Sequence, residues 1–246
     1  MTGRLLVLGD SLTYHGPTGP ELVTDPRLWP QQVAASTGRR LDLLARQGWT
    51  ARDAWWALTK DPVAWSVLLP RADVLVLAVG GMDALPASLP TYLREGIPYV
   101  RPAAARRRVR AAYRTAHPVV VRCTGGRLRA LPQRATDHYL SRVVAGARHY
   151  RPGIAVVALT PPPWRSADFP VHRTHGPSVQ AARAWAARER VDLVELDPIV
   201  APALAAGRGN PDGLHWDWPT HQEIGRAVSA AVARAVRASA AGTALT

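Results

Sequence analysis

The chain has 246 residues, 47% of them hydrophobic, which suits one globular α/β domain over 1–246 with a sizeable core. No uncharged apolar run approaches the ~18 residues of a membrane span, and the run at 5–8 is too short for a secretory signal, so the expectation is a cytoplasmic protein without a span. The net charge of +13 is almost wholly arginine, with Lys60 the only lysine. It favours anionic partners without choosing among them, and the lone Cys123 excludes an internal disulfide.

In chain order, the apolar run at 4–8 ending at Gly9 reads as a buried strand, and 29–37 as a helix stopped by Gly38. A second strand is expected at 41–45. A helix at 50–60 follows, with Thr50 as N-cap and Asp53 three residues on. The stretch 73–79 (DVLVLAV) is apolar on both faces, as a central parallel strand should be. The Pro- and Gly-rich stretch 80–102 carries no firm assignment. A helix is expected at 103–115, and 117–123 reads equally as strand or helix start.

Further on, 133–150 reads as a helix and 154–159 as a buried strand, before a loop from Pro161 to Pro177. A helix at 178–190, a strand at 192–196 and an amphipathic helix at 219–238 complete the pattern, with 239–246 as a frayed tail. Cys123 is expected in the core as a small hydrophobe. Five strands alternating with helices imply a parallel sheet covered on both faces, a three-layer α/β/α architecture. In such sheets ligands bind at the carboxyl ends of the strands, which directs attention to 9–11 and 80–83.

Ser11 follows the first strand directly, in Gly9-Asp10-Ser11-Leu12. A serine hydroxyl is a poor nucleophile until a base takes its proton, so a histidine must reach it. His215 is the candidate base. Asp212, three residues earlier on a loop or single turn, is spaced to hold His215 Nδ1 and leave Nε2 for Ser11. Taken singly, each motif has an ordinary structural reading, since Gly-Asp-Ser is a common turn and Asp-x-x-His a common surface pair. Their combination, after the first strand and before the last helix, is what points to acyl transfer.

With these residues the chain resembles the GDSL, or SGNH, hydrolase superfamily. Gly9-Asp10-Ser11-Leu12 matches its first block and Asp212-x-x-His215 its last. Gln47-Gly48 is similar to the second block, and Gly80-Gly81-Met82-Asp83 to the third. The resemblance implies a flavodoxin-like fold, a catalytic Ser11, Asp212 and His215, and an oxyanion hole from the backbone N–H groups of Ser11 and Gly48. Met82 departs from the family's asparagine, whose amide is the third oxyanion donor. Losing one such donor costs about 100- to 1,000-fold in turnover. Three readings follow: two donors suffice for an activated thioester, another side chain such as an arginine substitutes, or catalysis is lost.

Residues 9–17, the Gly-Gly-Met-Asp block and Asp212-Gly213-Leu214-His215-Trp216 are similar to one branch, the diglucosylglycerate octanoyltransferases. That resemblance implies octanoyl-CoA as co-substrate, no permanently bound cofactor, and a glucosylglycerate acceptor in methylglucose lipopolysaccharide biosynthesis. Substrate contacts are expected from His15, Trp49, Met82, Asp83 and Trp216. Asp10 is expected to brace its turn, and Arg106 to Arg110 to form a solvated helix face or grip phosphates. Trp29, Trp49, Trp164, Trp216 and Trp218 border the expected pocket or pack in the core, while Trp55, Trp56, Trp65 and Trp185 are assigned to helix packing.

The main rival is an esterase or carbohydrate deacylase with the same triad and water as acceptor. A nucleic-acid-binding protein is disfavoured by the dispersed arginines and the lack of a recognisable module. No metal is expected, because His172-x-x-His175 has no third ligand nearby in sequence. Oligomeric state is left open.

Overall fold

The computed structural model describes residues 3–243. The elements in chain order are β1 (Arg4–Gly9), α1 (Trp29–Thr37), β2 (Arg40–Ala45), α2 (Ala51–Lys60), α3 (Leu69–Arg71), β3 (Val74–Ala78), α4 (Gly81–Ala84) and α5 (Thr91–Gly96). They continue with α6 (Ala103–Cys123), α7 (Gln133–Tyr150), β4 (Ala155–Leu159), α8 (His175–Glu189), β5 (Asp192–Val194), α9 (Asp197–Ala205) and α10 (Trp218–Thr243). The five strands form one parallel sheet in the order β2-β1-β3-β4-β5, so the direction of strand addition reverses between β1 and β3.

Strand alternation sends β1 side chains to two cores. Leu6 and Leu8 join Leu75, Leu77 and Val156 beneath α2 and α7, while Leu5 and Val7 join Val74, Val76 and Val157 beneath α1 and α10. Both faces are therefore apolar, which is why β1 and β3 read as continuous hydrophobic runs. Each fully buried leucine contributes about 1.5–3 kcal/mol. Together these clusters make the sheet a rigid base for the loops at its carboxyl edge.

Several elements differ from the sequence expectation, each for a physical reason. Helix α6 runs to Cys123 through Pro118 without a break. Much of its surface is exposed, so water can serve the carbonyl that a proline leaves without its N–H partner. Cys123 is exposed on this helix and is not a core residue. The stretch 80–102 contains α4, α5 and a 3-10 turn at Ile97–Tyr99. The expected strand at 192–196 ends at Val194, because Leu196 N–H leaves the ladder for the Thr160 hydroxyl at 2.9 Å and α9 begins at Asp197. Helix α8 starts at His175, with Pro177 in the first turn, where a proline's missing N–H costs nothing. Helix α10 extends to Thr243, so 239–243 is helical; the rest of the expected tail, 244–246, lies outside the described residues.

Candidate active site

The serine turn is held from three sides. Asp10 Oδ1 accepts the Leu12 N–H at 2.9 Å, and the Thr13 hydroxyl donates to the Asp10 carbonyl at 2.7 Å. From α1, the Trp29 indole N–H donates to the Leu12 carbonyl at 3.0 Å. Ser11 thus sits at the start of a single 3-10 turn directly after β1, buried to 6% exposure. Asp10 does brace the turn. Burial raises its pKa to about 7, against the opposing hydrogen bond from Leu12.

The opposite half comes from the loop before α10. Asp212 N–H donates to the Asn210 side chain at 3.0 Å, and Asn210 Nδ2 donates to the Pro17 carbonyl at 3.0 Å, tying this loop to the one after the serine turn. Asp212 Oδ1 accepts from Leu214 N–H at 2.8 Å and His215 N–H at 3.1 Å, which folds the segment into a single turn. Gly213 makes the turn possible. Its φ is +71°, and a Cβ there would lie 1.9 Å from the Arg165 carbonyl oxygen.

The result is a connected triad. His215 Nε2 lies 2.9 Å from Ser11 Oγ, and His215 Nδ1 lies 2.6 Å from Asp212 Oδ2. Burial pushes the His215 pKa below the ordinary histidine value, with Asp212 pulling the other way. For Asp212, burial would raise the pKa, but the Leu214 N–H and both His215 donors outweigh it and hold the carboxylate ionised. A neutral imidazole with its Nδ1–H on a carboxylate is the state a general base requires.

Gly48 lies in the loop between β2 and α2 with φ +74° and open space where a side chain would be. No protein acceptor takes its N–H or that of Ser11 among the described residues, so both remain available to an oxyanion. The loop is anchored behind Gly48 by a capping box, in which Thr50 caps α2 and Asp53 returns a hydrogen bond to the Thr50 N–H.

A cavity opens beside Ser11, walled by Met82, Leu85, Pro162, Pro163, Trp164 and Leu214 among others. It is mostly apolar, and its ionisable lining residues are Asp10 and His215. No arginine lines it, so an arginine substitute for the missing amide finds no support in this wall. Leu85, Pro162 and Pro163 carried no functional signal in the sequence, because apolar residues in a Pro-rich stretch reveal a pocket only once the loops are placed.

The other expected contacts divide. Met82 lines the cavity, and His15 stacks directly on the His215 ring. Asp83 does not line it: its carboxylate accepts the Ala51 N–H at the start of α2 and the Thr136 hydroxyl at 2.8 Å, bracing the third block. Burial raises the Asp83 pKa to about 7. Trp49 packs on the core face shared with α2. Trp216 lines a smaller cavity beneath the serine turn, together with Asp10 and Trp29. Trp164 is buried in the pocket wall, its indole N–H on the Phe169 carbonyl. Of the packing tryptophans, Trp185 is fully buried, whereas Trp56 stays exposed under Arg52 and Lys60. His175 faces the Pro161 carbonyl and Asp197, both at 3.2 Å, and His172 lies against Trp164. Among the described residues no group of three His, Cys, Asp or Glu side chains is placed to hold a metal ion.

A serine turn after β1, backbone N–H groups without protein acceptors after β1 and β2, and an Asp-His pair before the last helix make up the arrangement of a serine hydrolase or acyltransferase of the SGNH type. The model of the GDSL-like lipase/acylhydrolase family matches residues 7–223, and the chain belongs to that family. Two relatives are each named diglucosylglycerate octanoyltransferase. That of Mycolicibacterium hassiacum is 43% identical over 96% of this chain and 98% of its own. That of Mycobacterium tuberculosis is 42% identical over 94% of this chain and 92% of its own. Among solved structures, the lipase/acylhydrolase from Enterococcus faecalis superposes with a TM-score of 0.59 at 17% identity, covering 92% of this chain and 94% of that one, a likeness of fold. Among the described residues no helix is long and apolar enough to cross a membrane.

Proposed function

We propose that this protein is a serine acyltransferase that moves an octanoyl or similar medium-chain acyl group from acyl-CoA to a sugar hydroxyl of diglucosylglycerate. The observation that carries the chemistry is the continuous Ser11-His215-Asp212 hydrogen-bond chain at the mouth of an apolar cavity. The near full-length similarity to two octanoyltransferases supports the substrates. Ser11 Oγ attacks the thioester carbonyl while His215 Nε2 takes its proton. The thiolate leaves with that proton, and an acyl-enzyme remains on Ser11. The acceptor hydroxyl then gives its proton to His215, attacks the acyl carbon and releases the serine. Asp212 stays ionised throughout and stabilises the imidazolium. Ser11, Asp212 and His215 are the catalytic residues in this reading, with Ser11 and Gly48 N–H groups receiving the oxyanion.

Hydrolysis by water is the competing outcome at the same acyl-enzyme. The test incubates purified protein with octanoyl-CoA, with and without diglucosylglycerate, and separates the products by mass spectrometry. Acylated diglucosylglycerate as the main product is expected. Free octanoate alone, unchanged by the sugar, overturns the transferase reading and leaves a thioesterase.

A further inference from the structure

The loop that carries Ser11 also carries a second imidazole onto the catalytic one. The His15 and His215 rings have centroids 3.7 Å apart and planes inclined by 21°, a face-to-face stack. His15 Nδ1 lies 3.0 Å from the Gly16 carbonyl, so that nitrogen carries a hydrogen. Its Nε2 has no protein hydrogen-bond partner among the described residues.

The backbone beneath this ring is fixed on both sides. His15 N–H donates to the Ser11 carbonyl at 2.9 Å. The His15 carbonyl accepts from His221 Nε2 at 3.1 Å, while His221 Nδ1 accepts the Trp29 N–H at 3.3 Å. Those two bonds require a neutral His221, and burial pushes its pKa down to about 4. A buried neutral histidine of α10 therefore locks the serine loop to α1 and sets where the His15 ring lies.

We propose that His15 is a positioning residue for the catalytic base: its stacked ring holds the His215 imidazole in place and disfavours a resting positive charge on it. The proposal rests on His215 being the base of the reaction. Two cationic rings in contact repel each other, and His215 is buried to 6% exposure, so a charge on its ring is also poorly solvated. His215 therefore rests neutral and able to accept the Ser11 proton. The neighbouring His15 and the burial of His215 act in the same direction, against the pull of Asp212.

The charged and titratable groups around the stack are few. Asp212 faces His215, and His221 of α10 lies beneath, with Asp217 and Asp25 acting on it. Asp25 is already paired with Arg27, and Glu21 lies beside Gly16. None of them hydrogen-bonds to His15 Nε2.

The test has two readouts. The first is the pH profile of kcat/KM for p-nitrophenyl octanoate in the wild type, His15→Phe and His15→Gln, each normalised to its own plateau. Removing the second imidazole lets His215 protonate more readily, so the acid limb moves to higher pH, by about half a unit or more. The second is an NMR titration of the imidazole Cε1–H signals in Ser11→Ala, with and without His15→Phe, which needs no substrate. The His215 signal is expected to titrate at higher pH once His15 is gone. Thermal unfolding confirms that each variant is folded, and Gln replaces Phe should the larger ring disturb the loop. An unmoved acid limb together with an unmoved His215 titration overturns the proposal. If the ester is not turned over at all, the function reading falls and the NMR titration still decides this one.

Discussion

The catalytic edge of the sheet and the α5–α6 segment are built on opposite terms. At the catalytic edge Ser11, His215 and Asp10 are at most 6% exposed, and their polar atoms meet one another or nearby backbone. Between 88 and 128 lie nine arginines against the single acid Glu95, and none of those arginines forms an ion pair among the described residues. The same segment exposes Tyr92, Leu93 and Tyr99, and an open apolar groove runs between α5 and α6. The first region is fixed by geometry, where one atom displaced breaks a chain of hydrogen bonds. The second is fixed mainly by solvation, where water replaces what a substitution removes.

The contrast is broken or sharpened most strongly at the triad. Ser11→Ala and His215→Ala are each expected to lower kcat by about 10⁴-fold or more, with the double variant no worse than either and unfolding temperatures close to wild type. Losses that multiply in the double variant count against a shared machine. Next is Met82→Asn, which restores a side-chain amide to the cavity wall. It is expected to raise turnover of a simple octanoyl ester by about tenfold or more, up to the 100- to 1,000-fold that one oxyanion donor contributes. No gain means that the two backbone donors already suffice, a result read from steady-state kinetics.

Smaller is the effect at Asp83, whose pKa burial raises from 3.8 to about 7. A carboxyl whose folded pKa lies above its unfolded one stabilises the fold below pH 4, and that contribution is lost as pH rises through about 7. Asp83→Asn removes this group, so the decline in melting temperature from pH 4 to 8 should flatten. An unchanged slope in calorimetric scans shows that Asp83 stays ionised in both states. Smallest is the triple change Arg107→Glu, Arg110→Glu and Arg114→Glu. Kinetics with a soluble ester should stay within about twofold of wild type, because exposed charges without ion-pair partners among the described residues contribute little to folding or to the reaction of a neutral ester. A larger fall would place this helix face in the catalytic unit.

Much of the catalytic edge was legible in the sequence because its signals are local. Gly9-Asp10-Ser11 follows a strand whose apolar run is unbroken, and Asp212 reaches His215 within one turn. The capping box at Thr50 is equally local, and the expected N-cap and its Asp53 partner are both found. The five-stranded parallel sheet follows from apolar runs that need no partner to be recognised. In the α5–α6 segment only the first part of α6, expected at 103–115, was legible; prolines and glycines hide the short helices before it, and Pro118 looks like a break where the helix continues.

By itself the sequence determined the strands, the serine turn and the Asp-His turn, since each depends on contacts between near neighbours in the chain. Tertiary structure decided which of the remaining polar residues serve the site. Asp83 turned out to brace α2 and Thr136, and His15 came to rest on a ring two hundred positions away. Such pairings arise from how loops from different strands pack at one edge, and no spacing along the chain encodes them. The serine turn was local information; the surroundings of the His215 ring were not.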